Sequence, residues 1–114
     1  MKMLENAKLV QKERDSILEA SGVLKSDLPV TRLILFGSKA RGTAEPDSDI
    51  DLLVLTSCPV SNKLRQAISE RLADINLQND VSLTSVVVSE RDWSDGLIRY
   101  MLIHDEVERD GCEI

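Results

Sequence analysis

Two short runs constrain this chain most: TRLILF at residues 31–36 and DIDLLVLT at residues 49–56. In the first, the residues from Leu33 onward are apolar at consecutive rather than alternate positions. A strand with one wet face alternates, whereas a strand covered on both faces need not. This run therefore reads as a buried strand ending at Gly37. The second run also reads as a strand, but it opens on two acids, Asp49 and Asp51. Asp is depleted in strands, so two of them call for a reason.

The rest of the chain supplies helices to cover such strands. Residues 4–22 carry a broken helical stripe, with Ser21-Gly22 as the expected stop. In residues 61–76, Leu64, Ala67, Ile68, Leu72 and Ile75 recur at helical spacing with polar residues between them. Asp80–Val88 reads as a third strand, with Val81, Leu83 and Val87 on one face and Asp80, Ser82, Thr84, Val86 and Val88 on the other. Ser89 resembles a helix N-cap, and residues 90–104 place Trp93, Leu97, Tyr100, Met101 and His104 on one stripe. The tail from Asp105 is expected to be a short edge strand or a solvated end. The pattern predicts one domain over residues 1–114, of class α/β (α+β), with a mixed sheet of three to four strands flanked by helices.

Composition excludes several functions. The net charge is −6, which argues against broad binding to nucleic acid. One Trp, one Tyr and one Phe do not make a base-stacking platform. No apolar run approaches the roughly 20 residues of a membrane span. The N-terminal stretch is charged and lacks an apolar signal core. Cys58 and Cys112 have no metal-ligand spacing and read as plain thiols of a reducing compartment. A cytoplasmic protein without membrane contact is expected.

The acids gain meaning from what precedes them. Successive strand residues point to opposite faces, so Asp49 and Asp51 share one face, with Cα atoms about 6.5–7 Å apart. Ile50, Leu52 and Val54 anchor the other face. Two carboxylates so placed can converge on a hard divalent cation, Mg²⁺ or Mn²⁺. Gly37 lets backbone approach a ligand closely, and the helical turn expected at 38–41 offers N–H groups to phosphate oxygens. The Ser38 hydroxyl adds a further bond, with Lys39 and Arg41 just beyond. A nucleoside triphosphate chelated to Mg²⁺ uses both halves. Asp80 is the expected third carboxylate: if its strand lies beside the second, three acids can hold two ions, or Asp80 can act as general base.

The stretch GSKARGTAEPDSDIDLLV resembles the Gly-Ser…Asp-x-Asp signature of the polymerase-β-like nucleotidyltransferases. More narrowly, it is similar to the minimal nucleotidyltransferase (MNT) family, through Gly37, Ser38, Ala40, Arg41 and Gly42, then Ser48, Asp49, Asp51 and Leu52. The motif covers about a sixth of the chain. The resemblance implies a nucleotidyltransferase fold and metal-dependent transfer of AMP from ATP to an acceptor hydroxyl. It implies that Gly37 and Ser38 bind the triphosphate and that Asp49 and Asp51 bind metal. Lys39 stands where the family often has Arg, which keeps the charge but loses bidentate geometry. Many members are antitoxins that add AMP to a HEPN-type partner protein, so such a partner is expected here. A second copy of the chain could also complete the cleft. Two further readings stay open: a module that neutralises its partner by contact alone, and an antibiotic-type enzyme acting on a small molecule.

Overall fold

A computed structural model describes residues 1–114. Strand β1 (Lys2–Met3) and a 3-10 turn (Leu4–Asn6) precede helix α1 (Gln11–Asp27). Strand β2 (Val30–Phe36) runs directly into the short helix α2 (Gly37–Arg41). Strand β3 (Ile50–Thr56), helix α3 (Asn62–Asn79) and strand β4 (Leu83–Ser89) follow. Helix α4 (Glu90–Asp95), a 3-10 turn (Leu97–Tyr100), helix α5 (Leu102–Asp110) and strand β5 (Cys112–Glu113) complete the chain.

The strands form one mixed sheet in the order β1-β5-β2-β3-β4. Strand β3 pairs antiparallel with β2 and parallel with β4. The consecutive apolar runs have the physical cause expected of them, because both faces of the central strands are covered. Leu33, Leu35, Ile50, Leu52 and Val54 pack with Ile17, Ala20, Leu24, Leu64, Ile68 and Leu72 from α1 and α3. Ile34, Phe36, Leu53 and Leu55 pack on the other side against Val88, Trp93 and Val107. That second layer is smaller. On its face Val86 remains exposed, and so do Asp49 and Thr84 nearer the start of β4. One end of one sheet face is therefore left open, and the two acids stand there.

Several expectations are corrected. The sheet has five strands rather than three to four. The tail forms a strand, but not at an edge: β5 lies between β1 and β2. Arg32 clamps it there, its Nε donating to Glu113 Oε1 at 2.7 Å. Glu113 and Glu90 keep that guanidinium charged against the opposing cost of its partial burial. The first helix starts at Gln11, because residues 2–3 are drawn into the sheet and Arg14 donates to the carbonyls of Leu4 and Ala7. It does not stop at Ser21-Gly22. The buried stripe of Ile17, Ala20 and Leu24 carries it to Asp27. The helix expected over 90–104 breaks at Gly96, where ψ is −179°. Trp93 is buried and stacks on His104 with ring centroids 4.6 Å apart, while Leu97, Tyr100 and Met101 are exposed.

The thiols differ in reach. Cys112 is fully buried, and burial pushes its pKa above the ordinary 9.0 although Lys2 and the N-terminus oppose this. The folded state thus keeps this proton longer than the unfolded state does. Its contribution to stability is complete below pH 9.0 and is lost as pH rises above that value. Thiol labelling at neutral pH should modify Cys58 first and reach Cys112 only on unfolding; equal labelling rates would contradict this packing.

Candidate active site

The site forms where β2 ends and β3 begins. Strand β2 delivers Gly37 at its C-terminal end, and β3 starts next to it with Phe36 opposite Asp51. Gly37 has φ +76°, a conformation in which a side chain is strained. A Cβ at this position would also collide with Asp51 Oδ2. Gly37 therefore serves two ends: it turns the chain into α2 and lets the Asp51 carboxylate lie against the backbone. Gly37→Ala should cost about 1–2 kcal/mol for the positive φ. Displacing Asp51 by about 1 Å should lower activity roughly a hundredfold. Turnover and urea unfolding, measured on one preparation, would separate the two effects.

The two acids lie on the same sheet face and are held from β4 and the residue just before it. Ser82 Oγ donates to Asp49 Oδ1 at 2.6 Å, and Thr84 Oγ1 donates to Asp51 Oδ1 at 2.9 Å. The register explains both contacts, since Ile50 pairs with Leu83 and Asp51 with Thr84 in the parallel ladder. Asn76 near the end of α3 fixes the start of β4: its Oδ1 accepts from Leu83 N–H at 2.8 Å, and its Nδ2 donates to the Leu83 carbonyl at 3.1 Å. Ser82, Thr84 and Asn76 were missed as site residues in the sequence. The alternation in 80–88 already put Ser82 and Thr84 on one face, but not opposite the acids.

Asp80 does not join the pair. It is the C-cap of α3, left-handed at φ 54°, and β4 begins three residues later at Leu83. Its side chain is fully exposed, at 100%, and its contact is with Lys12 Nζ at 3.5 Å. The strand expected to start at Asp80 thus starts too late to carry that carboxylate to Asp51. Asp80 instead lines a polar cleft of about 280 Å³ together with Lys12, Glu13, Ser48 and Ser82.

Nor does Lys39 face the site. Its side chain is 7% exposed, and its Nζ lies 2.7 Å from Glu13 Oε2 on α1. Glu13 Oε1 accepts from the Val10 N–H, so both carboxylate oxygens are satisfied. Lys39 ties α2 to the start of α1 and is not presented to a phosphate. Arg41 Nη1 lies 2.6 Å from Glu106 of α5, with both side chains partly exposed. Ser38 is half-buried beside Gly37 in the first turn of α2.

The donor set suits a hard divalent cation: two carboxylates on one face, backed by hydroxyls, with oxygen as the only ligand atom. No group of three Asp, Glu, His or Cys residues is gathered to hold a metal.

A family model described as a nucleotidyltransferase domain matches residues 17–111, which include the Gly-Ser turn and both acids. The chain belongs to the nucleotidyltransferase domain family. The family's chemistry uses a nucleotide substrate and divalent metal. Among curated relatives, one from Methanocaldococcus jannaschii, named provisionally as a protein adenylyltransferase, is 32% identical over 84% of this chain and 88% of its own length. The protein adenylyltransferase MntA of Shewanella oneidensis is 37% identical over 56% of this chain and 46% of its own length. A solved complex of a tri-AMPylated HEPN toxin with its MNT antitoxin, also from Shewanella oneidensis, shares the fold: TM-score 0.54, 21% identity, 90% of this chain and 71% of that one. No helix of the nucleotidyltransferase is long and apolar enough to cross a membrane.

Proposed function

We propose that this nucleotidyltransferase is a protein adenylyltransferase, moving AMP from ATP to a hydroxyl of a HEPN-type partner protein and acting as the antitoxin of that pair in the cytoplasm. The observation that carries the reading is the Asp49–Asp51 pair lying on one face against the Gly37 turn, with Asp51 Oδ2 beside the Gly37 backbone. The names of the relatives supply a protein as the acceptor, and the tri-AMPylated toxin of the solved complex supplies its HEPN type.

In this reading Gly37 and Ser38 hold the β- and γ-phosphates through backbone N–H groups and the Ser38 hydroxyl. Asp49 and Asp51 hold Mg²⁺, with Mn²⁺ able to replace it. The cation supplies charge neutralisation on the transferring phosphoryl group. The acceptor oxygen bonds to the α-phosphorus, the bond to the β-phosphate oxygen breaks, and pyrophosphate leaves while the hydroxyl proton passes to solvent. Of the two cations beside the turn, Arg41 is the one exposed enough to swing towards a phosphate, and Lys39 is structural. Asp80 takes no part in the transfer.

Contact-only neutralisation is the competing reading, and the exposed Leu97, Tyr100, Met101 and Leu102 favour it as a surface for a partner. Co-expression with a HEPN protein encoded beside this chain, followed by intact mass spectrometry, separates the two. AMP increments on the partner are expected. An unmodified partner that is nonetheless silenced would establish the contact reading.

A further inference from the structure

Thr84 on β4 and Ser82, the residue just before that strand, stand beside the acids, with hydroxyls at 2.9 Å from Asp51 and 2.6 Å from Asp49. A side chain at either position lies next to the acid pair, which makes these the places from which the sheet could present a third carboxylate. Both hold neutral hydroxyls. The neighbouring acid in the sequence, Asp80, is turned out to Lys12 by the left-handed cap. No third acid, histidine or cysteine closes a metal cluster.

Accepting the functional reading above, we infer that Asp49 and Asp51 take a single divalent cation, and that Ser82 and Thr84 are positioning residues which hold the two carboxylates for it. The neutral side chains at 82 and 84 decide this. Each hydroxyl donates one bond to Oδ1 of one acid and so fixes that carboxylate's orientation, leaving it further lone pairs for an ion. A two-ion centre needs a carboxylate to bridge or balance the second charge, and a hydroxyl adds no charge. The remaining ligands of a single ion then come from water and from the nucleotide's phosphates. Cation binding is consequently coupled to nucleotide binding: the ion arrives with the triphosphate and is held poorly without it.

The coupling predicts the outcome of one substitution. Ser82→Asp places a third carboxylate beside Asp49. Without an ion, three adjacent negative charges destabilise the fold; with an ion, they bind it more tightly. The variant should therefore melt below wild type in EDTA and regain that loss in Mn²⁺. Ser82→Asn, similar in shape but uncharged, should show neither effect.

The test counts free Mn²⁺ by electron paramagnetic resonance, with Mn²⁺ alone and with Mn²⁺ plus the non-hydrolysable ATP analogue AMP-PNP. Wild type should bind one Mn²⁺ per chain with AMP-PNP and at least about tenfold more weakly without it, because two carboxylates give a low ligand charge. Ser82→Asp should bind Mn²⁺ alone about tenfold more tightly than wild type, since affinity follows the charge of the ligand set. Thr84→Val should weaken Mn²⁺ binding about tenfold, and Thr84→Ser should restore it, as expected for a hydroxyl that orients a ligand. If Ser82→Asp does not fold, Thr84→Asp is the second placement of the same charge, and the same gain is expected. Two Mn²⁺ per wild-type chain would overturn the single-ion inference while leaving the transferase reading intact. So would a folded Ser82→Asp that binds Mn²⁺ no better than wild type. Absence of any nucleotide-dependent Mn²⁺ binding by wild type would overturn both readings together.

Discussion

Asp49→Asn/Asp51→Asn should abolish transfer while leaving the fold intact. The amide oxygens can still accept from Ser82 and Thr84, so the β3–β4 contacts survive. In the proposed function, what is lost is the charge that would hold the cation. A Lewis-acid cation contributes several kcal/mol to such a step, and each 1.4 kcal/mol is about a factor of ten, so the loss should be at least about a thousandfold. Stability should stay within about 0.5 kcal/mol of wild type or rise slightly, since two like charges on one face have been removed. AMP incorporation and urea unfolding, run in parallel, check both halves. A double variant that still transfers AMP at a tenth of the wild-type rate would remove these carboxylates from the mechanism.

The second large effect falls on stability. Lys39→Met should destabilise the fold by about 3–5 kcal/mol, because it leaves the buried Glu13 without its cation. That is a sizeable share of the 5–15 kcal/mol typical of a domain. The pair itself is worth much less than either truncation suggests, since well-packed apolar residues often replace a buried ion pair at little cost. Lys39→Met combined with Glu13→Leu should therefore recover most of the loss. Denaturant midpoints for the two single variants and the double variant provide the measurement. A loss below about 1 kcal/mol for Lys39→Met would show that water or a proton relieves Glu13 unaided. The same pair explains why a cation beside the Gly-Ser turn is not automatically a phosphate ligand. Glu13 is 26 residues away in sequence, and nothing local to Lys39 announces it.

How much of the site was legible follows from how far apart its parts lie in the chain. Gly37, Ser38, Asp49 and Asp51 sit within fifteen residues of one another and could be read together. Strand alternation alone puts the two acids on one face. A positive φ at the end of an apolar run is a local demand that glycine meets, and Gly37 meets it. The helix expected over residues 61–76 was equally readable, because its apolar stripe repeats over several turns and Ser61 caps it by accepting from Leu64 N–H; it runs on to Asn79. The 90–104 segment misled for the opposite reason: its stripe was apolar, but Gly96 ends the helix before most of that stripe can be buried.

Local pattern thus settles the order of elements from α1 to β4, the two-sided burial of β2, and the placing of two carboxylates on one face soon after a Gly-Ser turn, because each depends on residues a few positions apart. Only the tertiary structure decides that β5 inserts between β1 and β2, that Asp80 is a helix cap, that Lys39 belongs to Glu13, and that hydroxyls at 82 and 84 meet the acids. These depend on the register between strands and on side chains brought together from distant segments, and hydrophobic periodicity carries no information about which distant residue lies opposite which.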